Sequence, residues 1–330
     1  NNGIGEYVSS LLKSLPLVDG FSDHQFFLYT PFSVSGFDDY VIRVVRWPFN
    51  FGWSRFRLGF DLIKDRLDVV FVPSHGVSFG SGRVVSVVQG LEYEAVPDMY
   101  SFGDRWFKRR VVKKSIDFSD AVVVPSKKTK NDLVDFYGID ESKISIIPHG
   151  VSAFDGDKAD GRYILYLGSG HKRKNIIGLI NAFSLLRSKY GIDHRLVIAG
   201  CSELGSFDGV DFRGVVDFDE KWRLLRGADV FVFPSFYEGF GFPVLEAQSV
   251  GVPVACSDRG SLKEVLGNSA LFFDPFRVDK IAQSIFRIID DGGLRDDLTR
   301  KGLVNVKRFN WLDSAKKTLD LLTYENRDNT

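Results

Sequence analysis

Short apolar runs rich in β-branched residues alternate with longer segments along most of the chain, and runs of this kind are typical of buried strands. The predicted strands are Val69–Val72, Val84–Val88, Ala121–Val124, Ile144–Ile147, Tyr163–Leu167, Leu196–Ala199, Val230–Phe233 and Val254–Cys256. The longer segments repeat apolar residues every three or four positions, which indicates helices. The predicted helices are Glu6–Leu15, Phe102–Phe118, Lys127–Tyr137, Ile176–Tyr190, Glu220–Arg226, Pro243–Val250, Leu262–Leu266, Val278–Asp290 and Trp311–Leu322. This order predicts an α/β protein with parallel sheets and crossover helices.

A polar segment at residues 151–161 interrupts this pattern. It contains glycine but no periodic apolar spacing, which is typical of a hinge between domains. Because 330 residues fit two domains of roughly 150 residues each, we predict Rossmann-like domains that face each other across a cleft. Ligand is then expected at the carboxyl ends of both sheets. The first residues predict a loop that leads directly into a helix, so we expect the first strand of the N-terminal domain to be missing.

The composition narrows the classes of function. Hydrophobic residues make up 44% of the chain and charged residues 26%, as in globular proteins. Basic and acidic residues are equal at 43 each, so no overall charge attracts nucleic acid. The two cysteines lack metal-ligand spacing, which argues against zinc and disulfides and fits a reducing cytosol. No apolar run approaches the length of a spanning helix, so we expect a soluble or peripheral protein.

The segment PSFYEGFGFPVLEA, residues 234–247, carries the most informative chemistry. A predicted strand ends before it, and the glycines of its turn allow a ligand to approach backbone N–H groups. Pro243 suits the first turn of the helix that follows, and a helix N-terminus binds phosphate. Glu238 and Glu246 flank this anion site. Since carboxylates repel phosphate, we expect them to accept hydrogen bonds from the hydroxyls of a ribose or hexose.

In its context, the Glu-x7-Glu pattern of Glu238 and Glu246 resembles the signature of the retaining glycosyltransferases of family four, which have the GT-B fold. Three further blocks, residues 121–151, 166–175 and 251–275, resemble the family in order and spacing. The resemblance implies an acceptor domain at 1–150, a donor domain at 151–310 and a final helix, 311–330, that packs back onto the acceptor domain. It also implies transfer of a hexose from a UDP- or GDP-sugar to a hydroxyl acceptor with retained configuration.

The resemblance also implies roles for single residues. Glu238 would contact hydroxyls of the donor sugar, and Glu246 would bind the ribose. Arg173 and Lys174 match the family's basic pair, which neutralises the donor diphosphate and replaces a divalent metal, so neither a metal nor a cofactor is expected. This role agrees with the chemistry, because negative charge develops on the leaving diphosphate. The remaining donor-side candidates are the backbone groups of Gly239, Phe240 and Gly241 and the glycine-rich start of the N-terminal domain, Gly3 and Gly5.

Three positions depart from the family pattern. Asn2 stands where a first glycine is common, Ser169 where many members carry an additional arginine, and Gln89 where histidine is frequent. A glutamine side chain exchanges no proton, so Gln89 is a candidate for hydrogen bonding an acceptor hydroxyl and not for general-base catalysis.

Simpler structural explanations compete at several positions. Glu238 and Glu246 could belong to a solvated helix start, and Arg173 and Lys174 to an exposed turn. The sequence Asp217-Phe218-Asp219 has the form of a metal-binding motif, but capping of the next helix explains it more simply. Lone histidines after strands, namely His75 and His149, are more often structural than catalytic.

Two aromatic and basic stretches lie in the N-terminal half, where the acceptor is expected. Residues 105–114 place six basic residues beside Trp106 and Phe107. This helix could contact an anionic membrane surface, or it could be a solvated helix whose aromatic rings face the core. Residues 46–60 likewise have two explanations: they could form part of an acceptor site, or their aromatic side chains could pack in the core.

Together these observations predict a metal-independent hexosyltransferase of cell-surface polysaccharide or lipid-linked glycan synthesis. We expect it in the cytoplasm, with peripheral contact to the inner face of the membrane, and with no nucleic-acid partner. One alternative is a nucleotide-sugar-binding subunit without turnover. Another is a GT-B enzyme of different chemistry, such as a sugar-nucleotide epimerase or a phosphorylase.

Overall fold

The computed structural model describes residues 3–46, 58–74, 82–152, 154 and 161–324. Its contacts divide the chain into two compact units. Unit 1 comprises Asn1–Glu94, Tyr100–Gly150 and Asn310–Thr330, and unit 2 comprises Ala95–Met99 and Val151–Phe309. Most of the predicted hinge, the segment 47–57, Asn2 and His75 lie outside the described residues.

Unit 1 contains two parallel sheets. β1 (Phe27–Thr30) pairs with β2 (Val41–Val44). A four-stranded sheet has the order β3-β4-β5-β6. Its strands are β3 (Val69–Val72), β4 (Arg83–Val87), β5 (Ala121–Val124) and β6 (Ile144–Ile146). The helices are α1 (Gly3–Ser14), α2 (Leu58–Asp65), α3 (Glu92–Ala95), α4 (Phe102–Phe118), α5 (Lys127–Tyr137) and, after unit 2, α12 (Trp311–Thr323).

The sequence accounts for β5, one of the two inner strands of the four-stranded sheet, and for the helix after it. Every side chain of β5 is buried, as expected for a parallel strand covered on both faces. Ser126 caps α5, because its hydroxyl accepts the Thr129 N–H at 3.1 Å. The helix ends at Tyr137 and is followed by Gly138, whose φ of +63° is a conformation that glycine adopts without strain.

The C-terminal helix α12 belongs to unit 1 and packs against α1. The Ser314 hydroxyl donates to the Pro148 carbonyl at 2.5 Å, and the Arg83 guanidinium donates to the Leu321 carbonyl at 2.6 Å. Gly150 lies so close to Trp311 that an added Cβ would be 2.4 Å from its backbone nitrogen. These contacts fix the start of α12 to the segment that follows β6, and the end of α12 to the first residue of β4.

Unit 2 is built on one parallel sheet with the order β12-β11-β10-β7-β8-β9. Its strands are β7 (Tyr163–Leu167), β8 (Arg195–Ala199), β9 (Val210–Gly214), β10 (Val230–Phe233), β11 (Val254–Ser257) and β12 (Leu271–Phe273). Its helices are α6 (Ile176–Tyr190), α7 (Phe218–Gly227), α8 (Phe242–Ser249), α9 (Leu262–Leu266), α10 (Val278–Asp290) and α11 (Gly292–Asn305). The direction of the strand order changes between β7 and β10, and such switch points are where open α/β sheets bind ligands.

All eight predicted strands and nine predicted helices are present, several with the predicted boundaries. The α/β prediction with parallel sheets is therefore confirmed. Elements that the pattern missed are β1, β2, β9, β12, α2, α3 and α11. They are short or weakly patterned: β9 carries Asp211 and Arg213 at an edge, and α11 opens with Gly292 and Gly293, which read as a loop. Among the described residues, no helix is long and apolar enough to cross a bilayer.

Candidate functional site

The loops that follow β7 and β10 meet at the switch point of the unit 2 sheet. The first loop contains the single 3₁₀ turn Lys172–Lys174, and the second contains the turn before α8. The Phe236 N–H donates to the Arg173 carbonyl at 2.8 Å, which ties the two loops together. Basic residues from one strand end and an acidic residue from the other are thereby placed side by side.

Glu238 is bound by both predicted cations. Its Oε1 accepts from Lys174 Nζ at 2.6 Å and from Arg173 Nη1 at 3.0 Å. Glu238 and Lys174 are buried, with exposed fractions of 7% and 8%. The three side chains carry a net charge of plus one, so the cluster is suited to an anionic ligand. The exposed turn expected as an alternative for the basic pair is wrong for Lys174.

The same cations determine the protonation of Glu238. Burial by itself would raise the pKa of Glu238, but the charges of Lys174 and Arg173 outweigh burial and lower the pKa to about 2. The carboxylate is therefore ionised at neutral pH and can only accept hydrogen bonds. A sugar hydroxyl is a suitable partner, whereas general-acid catalysis by this group is excluded.

A third loop, after β11, fixes the backbone at Glu238. The Ser261 N–H and hydroxyl both donate to the Glu238 carbonyl, at 3.0 and 3.1 Å. At Gly260, whose φ is +65°, an added Cβ would lie 2.4 Å from that same carbonyl oxygen. The approach is possible only for glycine. Sequence reasoning missed both residues, although they lie in the block 251–275 that resembles the family.

The predicted glycine turn lies immediately before α8. Gly241 has a φ of +100°, and an added Cβ would be 2.8 Å from Leu262 Cδ2, so glycine is required. The Phe240 ring is buried between Phe242 and Phe309, at centroid distances of 5.5 and 5.6 Å. The turn of Gly239, Phe240 and Gly241 is thus fixed by packing, as a preorganised backbone site requires.

Glu246 lies in α8 with only 2% of its surface exposed. Lys221 of α7 donates to its Oε1 at 2.6 Å, and the ammonium group also lies over the Trp222 ring at 4.9 Å. The solvated helix start that was an alternative for Glu238 and Glu246 is therefore wrong. Sequence reasoning missed Lys221, because nothing in its local pattern indicates which carboxylate it meets.

The Asp217-Phe218-Asp219 motif caps α7. The Asp217 carboxylate accepts the Glu220 N–H at 2.8 Å, which confirms the capping explanation. Over the described ranges, no group of three or more His, Cys, Asp or Glu side chains is arranged to hold a metal ion. Independence from metal stays a prediction.

Unit 1 contains the other candidates. Gly3 and Gly5 lie in the first turn of α1 and not in a loop, since the helix begins at Gly3. Gln89 follows β4, and His149 follows β6. The Gln89 Oε1 and His149 Nε2 atoms are 2.6 Å apart, and His149 is buried.

Comparisons with known proteins agree with this architecture. Residues 1–153 match the model of Glycosyltransferase Family 4, and residues 152–303 match that of Glycosyl transferases group 1. O-antigen chain mannosyltransferase B of Escherichia coli is 38% identical over 170 residues, which cover 48% of this chain and 45% of that protein. The chain thus matches about half the length of this curated relative.

Two solved structures resemble almost the whole chain. WaaG, a glycosyltransferase involved in lipopolysaccharide biosynthesis, has a TM-score of 0.76 at 15% identity, covering 98% of this chain and 97% of WaaG. HepE of Anabaena, in complex with UDP and glucose, has a TM-score of 0.71 at 14% identity, covering 98% and 96%. The fold is GT-B. The chain is therefore similar to glycosyltransferases over almost its whole length, with a match to Glycosyltransferase Family 4 followed by a match to Glycosyl transferases group 1.

Proposed function

We propose that the protein is a retaining hexosyltransferase that moves a sugar from a nucleotide-sugar to a hydroxyl of a glycan acceptor. Unit 2 holds the donor in this proposal. The observation that carries it is the convergence of Arg173 and Lys174 on Glu238 at the switch point of the sheet. A nucleotide-sugar consists of a sugar and a nucleoside diphosphate. The Glu238 carboxylate can bind hydroxyls of the sugar, and the two cations beside it can bind the diphosphate.

The cations have a catalytic role in this proposal. Breaking the bond between the sugar and the diphosphate leaves negative charge on the nucleoside diphosphate. Arg173 and Lys174 are already ordered and partly dehydrated by Glu238, so they stabilise this charge with little reorganisation. Two fixed cations can serve in place of a divalent metal, and we expect transfer to proceed in EDTA.

The other donor contacts follow from the turn and from α8. The backbone N–H groups of Gly239, Phe240 and Gly241 lie near the start of α8, where the helix dipole favours a phosphate. Glu246 is proposed to bind the ribose hydroxyls, because carboxylate oxygens accept hydrogen bonds from hydroxyl groups. A donor-side role for Gly3 and Gly5, at the start of α1, stays a prediction.

The nature of the sugar is inferred from relatives. The similarity to an O-antigen chain mannosyltransferase of Escherichia coli supports a mannosyl donor for this protein. GDP-mannose is therefore the first substrate to test. The HepE complex contains UDP and glucose, so a UDP-sugar stays a candidate. WaaG is involved in lipopolysaccharide biosynthesis, and the Escherichia coli protein is an O-antigen chain mannosyltransferase. We propose a role in cell-surface polysaccharide or lipid-linked glycan synthesis here.

Retention of configuration does not need a protein base in this scheme. The departing phosphate takes the proton of the acceptor hydroxyl on the face where the new bond forms. Gln89 exchanges no proton, so its part is limited to hydrogen bonding on the acceptor side.

The outer face of α4 supports contact with a membrane. Trp106 and Phe107 are 49% and 55% exposed and do not turn into the core, so that alternative is wrong. Arg110 stacks on Trp106 at 4.2 Å, and with Lys114 it adds positive charge to the same face. Aromatic rings beside basic groups suit anionic headgroups, which supports our proposal of a cytoplasmic enzyme that contacts the inner leaflet.

Binding to vesicles tests this contact. The wild-type protein is expected to sediment with vesicles containing phosphatidylglycerol and not with pure phosphatidylcholine, and added salt should release it. A Trp106→Ser, Phe107→Ser variant should lose sedimentation. Phe32→Ser, which changes an even more exposed ring elsewhere in unit 1, should not. Unchanged sedimentation of the double variant would refute contact through α4.

The main proposal is tested by transfer and by thermal stability in EDTA. We expect GDP-mannose or a UDP-sugar to be consumed, and the matching diphosphate to raise the midpoint of unfolding by a few degrees at about 100 times its dissociation constant. ADP and NAD serve as mismatched ligands. Glu246→Ala should lose the shift and Glu238→Gln should abolish transfer, whereas Glu141→Gln, an exposed carboxylate paired with Lys130, should retain both.

The same experiments separate the alternatives. A shift without turnover would indicate a binding subunit. Release of the diphosphate without a glycoside product would indicate an epimerase, and use of inorganic phosphate would indicate a phosphorylase. No shift with any nucleotide would refute the donor site.

A further inference from the structure

Gln89 and His149 form a polar pair at the carboxyl end of the four-stranded sheet of unit 1. Gln89 follows β4 and His149 follows β6, and both strands pair with β5, so the two residues meet above the end of β5. The 2.6 Å between Gln89 Oε1 and His149 Nε2 is a short hydrogen bond. The pair thus lies where a parallel α/β sheet presents its ligand-binding loops.

The chemistry of the two groups fixes the direction of this bond. The amide oxygen of glutamine can only accept, so His149 must carry its proton on Nε2 and donate it. His149 is 1% exposed, with its ring centroid 4.4 Å from that of Tyr7 and 6.3 Å from that of Trp311. Burial lowers the pKa of His149 to about 3, so the ring is neutral at physiological pH and keeps this single tautomer.

Fixing the amide oxygen also fixes the amide nitrogen. Because the amide is planar, a hydrogen bond to Oε1 prevents the side chain from exchanging its oxygen and nitrogen ends. Gln89 Nε2 is shielded from solvent, and it makes no hydrogen bond to any part of the chain that the structure describes. A shielded amide nitrogen without a partner is unfavourable, so its two N–H groups are suited to an oxygen supplied by a ligand.

A neighbouring group has the same property. Tyr7 of α1 is 2% exposed, and within the described part of the chain its hydroxyl has no hydrogen-bond partner. Burial raises the pKa of this hydroxyl well above its ordinary value, so it stays a neutral donor. Two neutral donors therefore flank the His149 ring, which fits an uncharged, oxygen-rich ligand such as a sugar and does not fit a cation.

We infer that His149 is a positioning residue for the acceptor sugar: it holds Gln89 Oε1 so that the Gln89 amide nitrogen donates to an acceptor oxygen. This inference rests on the proposed function and assigns the acceptor class, a neutral glycoside, to this part of unit 1. His149 itself does not touch the acceptor in this arrangement.

Steady-state kinetics with GDP-mannose as donor and methyl α-mannoside as acceptor test the inference. His149→Leu removes the N–H donor and should raise KM for methyl α-mannoside about tenfold, the effect of one lost hydrogen bond. KM for GDP-mannose and the slow hydrolysis of GDP-mannose by water should stay within about twofold of wild type. His149→Gln supplies an amide N–H in place of Nε2–H and should restore KM for the acceptor. Gln89→Leu should match His149→Leu, and the double variant should be no worse than either.

Two results would overturn the inference. One is an equal loss in His149→Leu and His149→Gln, which would indicate a packing role; the other is a rise in KM for GDP-mannose alone, which would assign Gln89 to the donor. Absence of transfer by the wild-type protein with either nucleotide class would instead refute the proposed function.

A spectroscopic measurement tests the hydrogen bond without any substrate. Long-range ¹H–¹⁵N correlation spectra of the wild-type protein should show His149 as the Nε2–H tautomer at pH 7. The Nδ1–H tautomer, or a charged ring, would overturn the positioning role whatever the kinetics give. Addition of methyl α-mannoside should shift the Gln89 side-chain amide signals in the wild type and in His149→Gln, and not in His149→Leu.

Discussion

The two candidate regions solve different problems of charge. In unit 2, Glu238 is buried and ionised, and two cations fix it. In unit 1, Gln89 and His149 are neutral, and burial keeps His149 uncharged. A leaving diphosphate carries charge and requires charges that are already ordered, whereas a sugar hydroxyl requires donors with a fixed direction. In the proposed function this contrast corresponds to two different ligands, a charged diphosphate in unit 2 and a neutral sugar in unit 1.

Of the substitutions compared below, removal of one cation is expected to change kcat most. Lys174→Met should lower kcat by about 10²–10³, because the charge of the leaving diphosphate loses a fixed partner. Lys172→Met changes an exposed lysine in the same 3₁₀ turn and should leave kcat unchanged. Initial rates at saturating donor measure both. Equal rates for wild type and Lys174→Met would contradict the comparison of the two regions, because the charge of Lys174 would then not stabilise the leaving diphosphate.

A glycine substitution tests how the carboxylate is held. Gly260→Ala places a Cβ against the Glu238 carbonyl and should lower the free energy of unfolding by about 2–4 kcal/mol, with a loss of transfer. Gly138→Ala is the matched control, since its φ is also near +63° and nothing lies within 4 Å of the added atom. It should cost only about 1 kcal/mol. Urea unfolding of the two variants measures the difference, and equal losses would show that the contact at Glu238 adds nothing to backbone strain.

Acid unfolding should separate the two regions. The pKa of His149 is lowered from 6.5 to about 3 in the folded protein, so its stabilising effect is present above pH 6.5 and is lost as the pH falls towards 3. The pKa of Glu238 is lowered from 4.5 to about 2 despite burial, so its effect is lost only between about pH 4.5 and 2. His149→Gln should therefore flatten the stability curve from pH 6.5 downward, and Glu238→Gln should flatten it only below pH 4.5. Thermal midpoints measured across pH 7 to 3 check this, and a common window for both variants would contradict it.

The smallest expected effect concerns Lys221. Lys221→Met removes the partner that orients Glu246 and should raise KM for the donor about tenfold, with kcat little changed, because the ribose is remote from the bond that breaks. Lys263→Met, an exposed lysine of α9, is the control. A fall in kcat at unchanged KM would instead indicate that Lys221, like Arg173 and Lys174, stabilises the leaving diphosphate. Lys221 would then not have a role in donor binding alone.

Much of the fold was predictable because the burial of one face of a helix, or of both faces of a strand, gives a characteristic pattern of apolar residues in the sequence. Fully buried strands such as β5 and β10 are continuous apolar runs, and α10 shows a clear helical period. β1 and β2 were missed, since four-residue strands in a small separate sheet are only partly buried and leave little pattern.

The candidate site was predictable only as far as its motifs are local. Glu238 and Glu246 lie eight residues apart in one segment, and Arg173 and Lys174 are adjacent, so the resemblance identified them. The partners of these groups come from distant parts of the chain and were not predictable. Lys221 and Ser261 have no local feature that links them to a carboxylate.

The sequence by itself determined the alternation of strands and helices, the neutral overall charge and the positions of the acidic and basic motifs. Only the tertiary structure decided that Lys174 meets Glu238 and that Gln89 meets His149. It also decided that Trp106 on α4 is exposed. The physical reason is that periodic burial is encoded within a few residues, whereas these pairs lie about 60 residues apart and depend on which strand ends become neighbours in a sheet.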